Sequence, residues 1–147
     1  MPNTSHARPA SPESLIERAE CHAAHFATRW LQPDIAVVTA HGEIDAANSQ
    51  EFVDYAMRHA DRISRLVLDM SGVDFFGTAG FSALHTLNVR CAGESIEWAS
   101  VPSAAVSRLL RICDPDSTLP FFGGVDEALA AVQGEPARLL KLVSKSR

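Results

Sequence analysis

A two-layer α/β domain, with a four- to five-stranded mixed sheet and helices mainly on one face, is the fold class this sequence predicts. Short β-branched or apolar runs at residues 35–40, 66–68 and 96–100 alternate with segments whose apolar residues recur at helical spacing. The chain's 147 residues suit one domain with a real core. Right-handed crossovers then place the parallel strands in one sheet.

Residues 1–10 read as irregular, and Ser11 and Pro12 could cap and open one helical turn. Over residues 21–31, Ala24, Phe26, Thr28 and Trp30 fall on one face at period two, which predicts an edge strand. Gln32-Pro33-Asp34 is a turn, and the β-branched run 35–40 completes a hairpin. His41-Gly42-Glu43-Ile44-Asp45 leads out of that strand. Asn48 is placed as a helix cap with Glu51 in capping-box position, and Phe52, Val53, Ala56, Met57 and Ala60 mark the inward face of a helix reaching Arg62.

Residues 66–68 are expected as the central strand, ended by Asp69 as a turn former. A tight link follows, then a second helix from Thr78 to Cys91, with Phe81, Leu84 and Asn88 along one side. Residues 96–100 form the next strand. Pro102 is placed in the first turn of a third helix, whose stripe is Val106, Leu109, Leu110 and Cys113. Pro120 demotes residues 119–122 to an edge strand. A last helix covers 125–133, with Val125, Ala128, Leu129 and Val132 inward, and Gly134 and Pro136 close it. The apolar patch at 137–143 either docks or frays. The expected organisation is a flexible extension at 1–20, the folded domain at 21–134 and a tail at 135–147.

Composition narrows the function classes. A net charge of −5 argues against a nucleic-acid surface, and the basic residues Lys141, Lys145 and Arg147 form only a short cluster. No apolar run is long enough to span a bilayer, and residues 1–12 lack a signal-peptide core, so the expected location is cytoplasmic with no membrane insertion. Cys21, Cys91 and Cys113 lack CxxC spacing and are odd in number, as in a reducing compartment. Cys91 and Cys113 are the pair to consider for a redox role, against the blander reading of inert thiols.

Catalytic patterns fail in turn. Gly77-Thr78-Ala79-Gly80 has no following Lys-Ser/Thr to reach a nucleotide phosphate, and no Gly-x-Ser-x-Gly exists. Asp69 lacks the basic partner that a phospho-accepting aspartate needs. His22 and His25 fall on opposite faces of a strand, and His41, His59 and His85 have no metal-ligand spacing. Glu43 and Asp45 share a strand face without an evident pocket. The sequence therefore predicts no enzyme, no metal and no cofactor. Thr78 stands at a helix N-terminus, where its hydroxyl either caps the helix or accepts a phosphate.

Two segments together resemble a known family. His41-Gly42-Glu43-Ile44-Asp45 is similar to the x-Gly-Glu-Leu/Ile-Asp strand end of STAS domains, the anti-sigma factor antagonists. Residues 66–69 with Val73-Asp74-Phe75-Phe76-Gly77-Thr78-Ala79-Gly80-Phe81 resemble that family's hydrophobic-Asp-x-x-x-Val-x-Phe-x-Asp-Ser-x-Gly-Leu signature. Residues 104–113 and Asp126-Glu127-Ala128-Leu129 resemble its closing helices, so the likeness spans roughly residues 22–133.

The resemblance implies a module that binds an anti-sigma factor, often itself a serine/threonine kinase, and so frees a sigma factor. It implies phosphorylation at Thr78 as the switch. Two positions depart from the pattern: Gly77 stands where an Asp usually precedes the acceptor, and Thr78 replaces Ser. The expected partner surface is the sheet end carrying His41, Glu43, Asp45, Asn48, Gly77, Thr78, Phe81 and Ser82, with Phe81 as contact or as core. Alternative roles are a STAS subunit of a lipid transporter or stress-signalling complex, or a nucleotide or small-molecule sensor at the 77–80 loop.

Overall fold

In the computed structural model, which describes residues 16–21 and 23–134, five strands form one mixed sheet: β1 (Ile16–Cys21), β2 (Ala24–Gln32), β3 (Ile35–Ile44), β4 (Arg65–Phe76) and β5 (Glu97–Val101). Spatial order equals chain order. β1, β2 and β3 pair antiparallel, whereas β3, β4 and β5 pair parallel. Four helices complete the fold: α1 (Ser49–Met57), α2 (Thr78–Gly93), α3 (Ala104–Cys113) and α4 (Val125–Gln133). The expectations for residues 1–10, 11–14 and 137–143, and for His22, lie outside the described residues.

Strand alternation decides which face each residue serves. Ala36, Val38 and Ala40 on β3, with Leu66, Leu68 and Met70 on β4, point into the main core. There they meet Phe52 and Tyr55 of α1, Leu84 and Leu87 of α2, and Val106 of α3. Each large side chain fully buried this way stabilises the fold by roughly 1.5–3 kcal/mol. Val37, Val67, Ala99 and Val101 point the other way and pack on Ala128 and Val132 of α4. Three helices on one face and one on the other fit the expected helices mainly on one face. The crossing is made at residues 120–122, which run along the edge of β5: Ser100 N–H donates to Pro120 O (2.8 Å) and Phe122 N–H to Ser100 O (2.8 Å). Pro120 has no N–H to extend the ladder, so the expected edge strand is a single bridge between Ser100 and Phe121.

Several elements differ from expectation for local reasons. The edge strand is β1, and residues 21–31 supply β2 inside the sheet; the sheet thus begins within the stretch assigned to the N-terminal extension. The period-two face is as read, with Ala24, Phe26 and Thr28 buried and Trp30 packed against the core. β4 is interior but fourth of five, not central. It does not stop at Asp69 but runs on to Phe76, with Asp69 Oδ1 accepting the Ser71 N–H (3.0 Å) where the register with β3 shifts. The aspartate makes a bulge, not a turn. Pro102 precedes α3 instead of entering it, because Ser103 is the cap and its Oγ accepts the Val106 N–H (3.1 Å). Gly134 closes α4 at φ 82°, as a left-handed C-cap requires.

β1 is held to α1 by a polar clasp. Thr28 Oγ1 donates to Tyr55 Oη (2.8 Å), which donates in turn to the Glu17 carbonyl (3.2 Å). The Glu17 carboxylate pairs with Arg58 and lies 3.2 Å from His59 Nε2. Burial raises the Glu17 pKa, but the His59 and Arg58 contacts outweigh it and hold the carboxyl below its ordinary value. A depressed folded-state pKa adds stability above the unfolded value, and that stability is lost as pH falls through it. Glu17→Gln should therefore lower the melting midpoint at pH 7, with the gap from the parent closing as pH falls below the ordinary glutamate value of 4.5. Thermal melts from pH 7 to about pH 3 check this; a gap independent of pH contradicts it.

Candidate partner-binding site

The two segments that carry the sequence signature meet through the backbone. Beyond Val101, β4 has no neighbour on the β5 side and continues along β3 alone, with Glu43 opposite Phe75 and Ile44 opposite Phe76. Gly77 N–H then donates to Ile44 O (3.0 Å). The turn into α1 and the first turn of α2 thus leave the same end of the sheet side by side, as expected.

The first of these turns is locked by side chains. Asn48 Nδ2 donates to Glu43 O (2.9 Å), and its Oδ1 accepts the Asp45 N–H (3.0 Å). Asp45 Oδ1 accepts the Ala47 N–H (2.9 Å), an Asx turn, and the Ser49 N–H returns to Asp45 O (2.9 Å). Asn48 sits at the cap position of α1 but makes no side-chain cap bond, because its amide is used inside the turn. It is 1% exposed, so it shapes the surface from below and is not part of the surface. Glu43 is exposed and Asp45 half-buried.

The second turn leaves a helix end open. Gly77 is the N-cap of α2 in extended conformation (φ −90°, ψ 179°), and it offers no side chain to the first turn, which holds no acidic residue. Thr78 is therefore the first helical residue, with its side chain exposed, and the reading of Thr78 as the cap is corrected by one position. Ser82, one turn on, is exposed as well. Phe81 is half-buried against the main core, which answers the choice between contact and core mostly in favour of core.

Packing fixes this end rigidly. A Cβ on Gly80 would lie 2.5 Å from the Phe76 ring, so the glycine admits that buried ring against the helix backbone. Gly77 is different: a Cβ there would meet nothing nearer than Phe75 Cε2 at 3.5 Å, ordinary contact, and its φ is one that any residue adopts. An Asp in that place fits.

Of the expected surface residues His41 lies elsewhere, the two redox candidates are unpaired thiols, and one surface residue was missed. His41 stands over Gly72 on the outer face of the sheet, where a Cβ on Gly72 would meet the ring at 2.2 Å; it is not beside Thr78. Cys91 is fully buried with Sγ 3.8 Å from Met57 Sδ, and burial pushes its thiol up to about 12, so it is a core residue with no thiolate at neutral pH. Cys113, half-buried on α3, has no bonded partner, and both thiols are free. The missed residue is Phe75, a large apolar side chain 50% exposed beside Gly77. Reading residues 70–77 as a link hid both the strand and the register shift between Val73 and Phe75, across which Val73 and Phe76 are buried and Phe75 is exposed. Among the described residues, no group of His, Cys, Asp and Glu is placed to hold a metal, and no helix is long and apolar enough to cross a membrane.

With this geometry in place, comparison with known proteins is informative. The STAS domain family model matches residues 31–128. The chain belongs to the STAS family. Osmosensory protein A of Mycobacterium tuberculosis is 35% identical over 125 residues, covering 80% of this chain and 79% of the relative. The anti-sigma-F factor antagonist RsfB of the same species is 31% identical over 104 residues, covering 68% and 83%. Among solved structures, an anti-sigma factor antagonist from Mycobacterium paratuberculosis superposes with a TM-score of 0.65 at 25% identity, covering 86% of this chain and 97% of that one. The STAS match includes both turns described above, from the end of β3 to the start of α2.

The contrast between the two glycines gives a test of this STAS domain's packing. Gly80→Ala should destabilise the fold by about 1–3 kcal/mol through overpacking against Phe76. Gly77→Asp should be neutral or stabilising by a few tenths of a kcal/mol, since aspartate caps slightly better than glycine. Chemical denaturation of both variants measures this, and equal effects contradict the packing account.

Proposed function

We propose that this STAS protein is a binding module, not an enzyme: it docks an anti-sigma factor at the sheet end formed by the two turns and so releases a sigma factor. We place the docking surface at Glu43, Asp45, Gly77, Thr78 and Ser82, with Phe75 as its apolar element. The names of relatives such as RsfB support the partner class. The observation that carries the reading is the Gly77–Ile44 hydrogen bond, which sets an exposed Thr78 beside a rigid acidic turn.

Thr78 is the proposed switch, and an anti-sigma factor with kinase activity its proposed modifier. A phosphate there adds about −1.5 to −2 charges and three acceptor oxygens. The uncapped start of α2 favours negative charge by about 0.3–1 kcal/mol, so the fold survives modification. The same charge, added beside Asp45 and the exposed Asp74, changes what a docked partner meets. Because Gly77 supplies no carboxylate ahead of the acceptor, we expect Gly77→Asp to alter the rate of phosphorylation rather than the fold.

Affinity for the cognate anti-sigma factor, measured by titration calorimetry, tests the surface. Glu43→Lys should weaken binding by about tenfold or more while leaving the melting midpoint in place. It is cleaner than Asp45→Lys, which also removes the Asx turn, at a cost of about 1 kcal/mol. Thr78→Glu should weaken binding and Thr78→Ala should retain it. Incubation with the anti-sigma factor and ATP, followed by phosphosite mapping, should find Thr78. Unaltered affinity in both Glu43→Lys and Thr78→Glu overturns the surface; an unmodified Thr78 overturns the switch alone.

A further inference from the structure

The outer face of β1–β3 carries a feature the docking surface does not use. α4 packs on β4 and β5 and reaches Val37 of β3, while Arg18 of β1 and Arg29 of β2 stay exposed on the same side of the sheet. In the ladder, Ala27 lies between Arg18 on β1 and Thr39 on β3, and His25 pairs with His41 one step along. Arg29 follows Ala27 by two residues on the same face, diagonal to Arg18. The small Ala27 side chain leaves a floor, and Arg18, His25, Arg29, Thr39 and His41 form the rim of a depression of about 450 Å³.

Arg18 and Arg29 are both exposed, and neither makes an ion pair or hydrogen bond with any described residue. Diagonal neighbours across a strand pair stand roughly 7–8 Å apart, close enough for their charges to repel. The chain as a whole has 18 acidic against 13 basic residues, so two exposed arginines lining one depression stand out against its charge. The nearest acidic positions are Glu20, opposite His25, and Asp69, opposite Thr39; the Asp69 carboxylate accepts the Ser71 N–H and does not line the depression.

We propose that this depression binds a small soluble polyanion, a phosphate ester or polyphosphate. Guanidinium forks bind phosphate oxygens in pairs, and two of them lining one shallow depression match a ligand carrying at least two negative charges. Thr39 and His41 supply further polar contacts. The volume lies within the ordinary range for small-ligand sites. Charge argues against the chain's own C-terminal segment as occupant, since it carries Arg138, Lys141, Lys145 and Arg147 against Glu135. An acidic peptide needs a groove that continues along a strand, whereas here the basic groups ring a single residue. The site is independent of the docking surface and stands whether or not that surface binds an anti-sigma factor.

Titration calorimetry of the full chain with inorganic pyrophosphate at about 0.15 M salt tests the proposal. Saturable one-to-one binding is expected, weakened by about tenfold or more in Arg18→Ala and in Arg29→Ala. Arg108→Ala, an exposed arginine on α3, should bind like the parent. Thermal melts of each variant confirm that the fold is retained, and the double variant Arg18→Lys/Arg29→Lys should recover part of the affinity. The proposal is overturned by the absence of saturable binding, by an equal loss in Arg108→Ala, or by a hexaglutamate peptide binding where pyrophosphate does not.

Discussion

The parallel pairing of β3 with the second half of β4 is the constraint on which the rest of this molecule depends. β4 outlasts β5, and from Gly72 to Phe76 the one strand it pairs with among the described residues is β3. Buried peptide groups left without partners cost about 1–3 kcal/mol each, so this pairing fixes the register where both strands end. Gly77 N–H to Ile44 O closes the ladder. Both turns are then placed at once: one is stiffened by Asn48 and Asp45, the other by the Phe76 ring against Gly80. The candidate docking surface is thus a consequence of how two strands finish, not a separate device added to the fold.

Much of this was legible in the sequence because the signals were local. Helical periodicity placed α2 and α4 closely, and the run 35–40 placed β3, since each reports burial against one face. The signals that failed needed information from across the sheet. β1 has no apolar run of its own; it is held by pairing with β2 and by Glu17 and the Tyr55 hydroxyl reaching across from α1. Asp69 and Gly72 look like a turn, and only the continuing partner strand makes them a bulge. Asn48 carries the right chemistry for a cap, but the nearby Glu43 carbonyl and Asp45 N–H satisfy its amide first.

The site was legible to a similar degree. Thr78, Ser82, Glu43 and Asp45 are where the motif spacing implied. His41 lies away from the expected surface and Phe75, given no role there, is exposed beside it, because the strand alternation around Gly42 (φ 95°) cannot be counted from the sequence without knowing that a bulge lies there. A Cβ on Gly42 would lie 2.3 Å from Ala23 O, so the bulge is bound to glycine. The result is two chemically distinct surfaces on one sheet: an acidic end with an open helix terminus, and an arginine-lined depression on the outer side of β1–β3.

Backbone hydrogen exchange with and without the cognate anti-sigma factor addresses the central claim most directly, since it reads every segment at once. The account predicts added protection confined to residues 43–50 and 75–82, with β1 and β2 unchanged. Protection centred on β1 and β2, with both turns exchanging as in the free chain, would contradict it.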